Sequence, residues 1–150
     1  MRTQKARSLS RDALIAIATA VLTSAISYYI FLKQHNTDEK FRLNQNLNKL
    51  LDIDLQYPFL EDSAFVGWWD KNKESNKDSA LRYGYYCIYL FNFFQDVCEY
   101  YDYNEEEMAK FMDIDDLIGL HKSWWQLPEN QTSEAYDLRF KKFVDALYKQ

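Results

Sequence analysis

Residues 13–32 read ALIAIATAVLTSAISYYIFL, running from Ala13 to Leu32 without a single charge. About 20 such residues, rising about 1.5 Å each, cover the roughly 30 Å hydrocarbon layer of a bilayer as one helix. Arg11 and Asp12 close one end and Lys33 the other. Tyr28, Tyr29 and Phe31 fall near the second boundary, where amphipathic rings favour the headgroup zone. A cleaved leader would also begin with bases and an apolar run. This run is too long for that, and the small residues Thr23-Ser24-Ala25 lie inside it rather than after it. No apolar partner of matching length appears elsewhere to bury it. The reading is a single transmembrane helix over 13–32, preceded by a basic tail over 1–12, with the lipid bilayer as its partner.

The sides of this helix are unequal. Ala13, Ala16, Ala20, Thr23 and Ser27 recur at spacings of three and four, and Ala16, Ala20 and Ser24 form a second ladder of small residues. Small faces let helices approach closely in lipid, where packing rather than hydrophobicity drives association. The pattern predicts a homo-oligomer assembled through this stripe.

Orientation rests on two opposed signals. The N-terminal flank carries Arg2, Lys5, Arg7 and Arg11, against Lys33, Lys40 and Arg42 beyond the helix, a narrow margin for an inside N-terminus. Cys87 and Cys98 are eleven residues apart. Within one predicted helix that is roughly 16 Å, too far to bridge, and unbridged thiols suit a reducing compartment. The expected location is the inner membrane with the bulk of the chain on the cytoplasmic side.

Beyond a juxtamembrane linker over 33–42, residues 43–150 read as one acidic helical domain. The 150-residue chain has only three glycines and two prolines but 17% aromatic residues and a net charge of −5. So few turn-formers exclude a sandwich or barrel, while the rings supply a core. The class predicted is all-α, a transmembrane helix followed by a four- or five-helix antiparallel bundle. Leu43, Leu47, Leu50 and Leu51 give a first apolar face, which stops at Tyr57-Pro58. Residues 71–78 (KNKESNKD) read as an exposed loop. The stretch RYGYYCIYLFNFFQDVCEYY over 82–101 is apolar on nearly every side, as in a helix buried at a bundle centre. Asn104 and Glu107 have the spacing of a capping box, and a helix follows towards Trp124-Trp125 with a break near Asp113. A last helix, starting near Thr132 or Ser133, carries Tyr136, Phe140, Phe143, Val144 and Leu147 on one face.

Chemistry finds little support in these residues. Neither His35 nor His121 has a Glu three positions before it, as a helical di-iron site requires, and no Cys-x-x-Cys exists for structural zinc. No Arg stands shortly before either histidine, so the Arg and His pair of HEPN-type helical ribonucleases is absent. Gly67, Gly84 and Gly119 are isolated and build no phosphate loop. The expectation is no catalytic residue, no metal and no cofactor. An acidic domain repels phosphate backbones, so no nucleic-acid partner is expected either. Binding remains. In the pairs Trp68-Trp69 and Trp124-Trp125 adjacent rings on a helix point apart, making these four residues candidates for a protein interface with a partner the sequence does not name.

The order of features resembles a loose group of small bacterial membrane proteins of unassigned function, through Tyr57-Pro58-Phe59-Leu60, Trp124, and Tyr136 with Phe140 and Phe143-Val144. That resemblance implies an inner-membrane location and a helical domain, and transfers no catalytic residue. Some proteins of similar layout are accessory effectors in phage defence that assemble in the membrane. Two functions are therefore expected: a membrane-tethered interaction module, or a membrane-perturbing effector whose Thr19, Thr23, Ser24 and Ser27 line an oligomeric pore.

Overall fold

A computed structural model describes residues 2–72, 76–131 and 134–149, and the side chains of residues 2–12, 70, 72 and 131 are not among those described. The chain is all-α, and no strand occurs among the described residues. It divides into two compact units, residues 1–41 and 42–150.

The first unit is helical throughout its described length. Helix α1 runs from Arg2 to Gln56, so it passes through the expected linker at 33–42 without a break and continues into the second unit. Nothing in that stretch stops it: it contains no Gly or Pro, and Thr37 returns its hydroxyl to the Lys33 carbonyl at 2.9 Å. Every side chain from Ala13 to Leu32 is exposed, Leu14 by 66% and Tyr29 by 66%. By length and composition α1 is long and apolar enough to cross a membrane. The basic character of residues 1–12 rests on side chains outside the described residues.

The second unit is organised on α4 (Lys77–Tyr100), preceded by a 3-10 turn at Pro58–Glu61 and short helices α2 (Ser63–Val66) and α3 (Trp69–Asn72). Proline at the first position of the 3-10 turn ends α1, because Tyr57 ahead of it is forced out of the helical region, to φ −132° and ψ 67°. Asp62 then caps α2, accepting from the amides of Ala64 and Phe65. Residues 73–75 of the expected loop lie outside the described residues.

Helix α4 ends in two consecutive left-handed residues, Asp102 (φ 49°) and Tyr103 (φ 62°). The Tyr103 amide reaches back to the Cys98 carbonyl at 2.8 Å, which satisfies an acceptor the helix end would otherwise orphan. Arg139 grips this turn from α9 (Leu138–Leu147): its guanidinium bonds the Asp102 carboxylate at 2.7 Å and lies 4.0 Å from the Tyr103 ring centre.

The expected helix from Asn104 to Trp125 is broken into α5 (Glu105–Ala109), α6 (Ile114–Ile118), a 3-10 turn at Gly119–His121 and α7 (Lys122–Trp125). Asn104 and Asp113 each start a new segment by capping it, accepting from the amides of Glu107 and Asp116. The capping box is half-formed, since the Glu107 carboxylate turns to Lys110 at 2.6 Å. Helix α8 (Pro128–Gln131) follows. The last helix begins at the Asp137 cap; the expected starts at Thr132 and Ser133 lie outside the described residues.

The core is aromatic. From α4 it takes Tyr83, Phe91, Phe94 and Val97, from α7 Trp124 and Trp125, and from α9 Phe140 and Val144. The Phe91 ring stacks on Trp124 at 5.4 Å, and Phe94 meets Phe140 edge-on at 5.6 Å. Leu43 and Leu50 of α1 are buried in the same core.

Candidate functional site

Two features of the second unit exceed what packing alone requires. The first is a polar cluster inside the core. Glu61 closes the 3-10 turn before α2, His121 closes the turn before α7, and Tyr83, Tyr86 and Cys87 lie one helical turn apart on α4. His121 is fully buried. Its Nε2 lies 2.9 Å from Glu61 Oε1 and its Nδ1 lies 2.9 Å from the Tyr83 hydroxyl. A carboxylate only accepts, so Nε2 carries a proton and donates to Glu61, while Nδ1 shares a hydrogen bond with the Tyr83 hydroxyl. The Tyr86 hydroxyl donates to the same Glu61 oxygen.

Cys87 Sγ stands 3.9 Å from His121 Nδ1, which brings thiol, imidazole and carboxylate into one line. That line resembles a nucleophile with its base and orienter only in its atoms. Cys87 is fully buried, and burial pushes its thiol well above the ordinary range, as it does the Tyr83 and Tyr86 phenols. The Tyr83 hydroxyl occupies the Nδ1 position a thiol would need. As folded, the cluster ties three separated segments together and offers no accessible thiolate. Among the described residues no group of three or more His, Cys, Asp or Glu is placed to hold a metal.

Beside Glu61 a hollow of about 300 Å³ opens between Leu50, Asp54, Tyr86, Asp116 and Leu117. Asp54 Oδ1 is buried there with no hydrogen-bond partner among the described residues. Burial raises the Asp54 carboxyl above its ordinary value, and the nearby Glu61 charge adds to this.

The second feature is an exposed apolar lane on α4. The helix is expected to be buried all round, and the structure corrects this: Leu81, Tyr85 and Ile88 are exposed by 59%, 66% and 43%. These positions follow one face at steps of four and three, and the buried set lies on the other side. Tyr85 stands as a ridge between two grooves. One, about 290 Å³, is bounded by Ile53, Tyr57 and Tyr89; the other, about 220 Å³, by Ala80, Gly84, Trp124 and Asn130. No neighbouring atom lies within 4 Å of where a Gly84 side chain would start.

The four candidate tryptophans differ in exposure. Trp69, Trp124 and Trp125 are all buried, at 7%, 4% and 0% exposure, because segments from different sides of the core meet each ring. Trp125 also donates to the Asp145 carboxylate at 2.9 Å. Trp68 alone is exposed, by 47%. The small residues Ala13, Ala16, Ala20, Thr23, Ser24 and Ser27 are exposed along α1. Sequence reasoning missed the Leu81, Tyr85 and Ile88 lane, although the three-and-four spacing was available in it. It also missed the pairing of Glu61 with His121, for which sixty residues of separation leave no local signal.

No family model matches the chain, and neither the curated proteins nor the solved structures yield a match.

Proposed function

We propose that this chain is a membrane-tethered helical interaction module: one crossing at Ala13–Leu32 holds it in the inner membrane, with residues 42–150 on the cytoplasmic side. It acts by binding protein partners, itself included, rather than by catalysis. The observation that supports this is the apolar stretch 13–32, every side chain of which is exposed along its helix. A continuous apolar cylinder of that length is stable in lipid or against other helices, not in water. The small stripe from Ala13 to Ser27 is the face proposed for self-association. The hydroxyls of Thr19 and Thr23 donate to the carbonyls of Ile15 and Thr19 at 2.9 and 2.8 Å. They are satisfied within their own helix and need no aqueous lining, which favours a packed interface over a pore.

Fractionation tests the tether. The full chain is expected to stay with membranes through alkaline carbonate washing, and protease added to spheroplasts should leave residues 42–150 intact. Release by carbonate would remove the tether, and digestion from outside would reverse the orientation. Replacing Ala16 and Ala20 together by Leu should lower self-association in lipid by tenfold or more while leaving the chain in the membrane. Unchanged association would discard the small stripe as the contact.

A further inference from the structure

The small residues Ala13, Ala16, Ala20, Thr23 and Ser27 step by three and four, and the same steps lead on to Ile30, Gln34, Thr37 and Phe41. That alternation is the heptad spacing of a seam between two helices. Helix α1 runs through all these positions unbroken, and each is exposed, Ile30 by 48% and Phe41 by 62%. We propose that α1 pairs in parallel with α1 of a second copy, along one seam that leaves the membrane and reaches Phe41. The proposal rests on the self-associating reading above and extends its contact beyond Ser27 into water.

Charge placement outside the membrane carries the argument, independently of the small stripe. Residues 33–42 read KQHNTDEKFR and hold five charges in ten positions, at Lys33, Asp38, Glu39, Lys40 and Arg42. A parallel two-fold pair sets each seam residue against its own copy, so a charge on the seam would meet its like. A heptad can be laid on this segment in seven registers. Six of them put at least one of these charges on the seam; only the register through Gln34, Thr37 and Phe41 puts none there. It is the same register that the small residues set from Ala13 to Ser27. The sequence keeps to it afterwards with the uncharged Asn44, Asn48, Leu51 and Leu55.

The flanking charges name the second copy as the occupant. In this register Lys33 stands just before the seam residue Gln34, and Asp38 just after the seam residue Thr37. Both side chains are exposed. These are the flanking positions that meet across a parallel pair, so Lys33 of each copy faces Asp38 of the other. Two copies held by the same crossing run in the same direction, which makes the parallel arrangement the one open to them. An exposed ion pair contributes at most about 1 kcal/mol, so this pairing sets alignment rather than strength.

The helix itself needs the cover. Asn36, Thr37 and Asp38 are weak helix formers, yet α1 passes through them without a break. Helical stability in proteins comes mostly from packing, and the first unit consists of this one helix among the described residues. A second copy would supply the missing face. Ala13 to Phe41 spans about four heptads, the length at which a sustained repeat indicates a coiled coil. Gln34 and Thr37 are polar, so the part of the seam in water adds more to alignment than to affinity. Confinement in the membrane raises the effective concentration of each copy for the other.

Cysteine scanning in membranes carrying the full chain tests this. The native Cys87 and Cys98 are buried and do not compete. On mild oxidation Gln34→Cys, Thr37→Cys and Phe41→Cys should each give at least fivefold more disulfide-linked dimer than Asn36→Cys and Glu39→Cys, which lie off the seam. Lys33→Asp should lower the Thr37→Cys dimer severalfold, and adding Asp38→Lys to it should restore the yield. Equal cross-linking at all five positions would overturn the seam, and a failure of the double exchange to restore the dimer would overturn the parallel pairing of Lys33 with Asp38. Replacing Ala16 and Ala20 together by Leu separates the proposal from the reading beneath it. If that change lowers self-association while positions 34, 37 and 41 cross-link no more than 36 and 39, the membrane contact stands and its extension is wrong. A chain that stays monomeric in lipid overturns both.

Discussion

His121 joins the turn that carries Glu61 to α4, and its effect on stability follows from what it leaves behind. Replacing it by alanine strands the buried Tyr83 hydroxyl, leaves Glu61 with Tyr86 as its donor, and opens a void beside Cys87. An unsatisfied buried polar group and a cavity together cost about 2–4 kcal/mol. Urea unfolding of His121→Ala should show a loss of that size; one below half a kcal/mol would mean that the cluster does not tie the segments together. Asp54 acts in the opposite direction. Its carboxyl is raised above 3.8 in the folded chain, chiefly by burial. The folded state thus holds the Asp54 proton more tightly than the unfolded state does. This favours folding below the unfolded value and is lost as pH rises through the folded one. Asp54→Asn should therefore stabilise the chain at about pH 7, with the gain shrinking towards pH 4 in urea midpoints taken across that range. A gain that grows in acid would reverse the assignment. Neither effect was legible in the sequence: a buried histidine and a surface histidine read alike until residues 61 and 121 are known to touch.

Among the elements, those whose signals are local were the ones open to sequence reasoning. Tyr57-Pro58 ends α1, Asn104 caps α5 and Asp113 caps α6, and each of these is a short-range backbone constraint. The α4 lane was hidden for a different reason. With rings on every side, periodicity cannot tell which faces the chain itself covers; Phe65 of α2, Trp69 of α3 and His121 close over Tyr83, while Tyr85 is left outside. Gly84 gives the element its own test. A methyl group there meets nothing, so Gly84→Ala should raise the stability of the folded chain by roughly 0.5–1 kcal/mol through helix propensity alone. A loss on thermal or urea unfolding would show that something within the chain fills that space.

For the whole molecule the decisive signal was compositional: twenty uncharged residues dictated a helix whose side chains are exposed. The second unit begins at Arg42, and its core already includes Leu43 and Leu50 from the last turns of α1. Arg42 also pairs with Asp96 of α4 at 2.8 Å. A chain starting at residue 42 therefore keeps the contacts that hold its first helix within the second unit, and loses the apolar stretch 13–32. It is expected to be soluble and to retain a helical circular dichroism spectrum with cooperative unfolding. If it aggregates or loses helix, residues 1–41 contribute to folding and not merely to location.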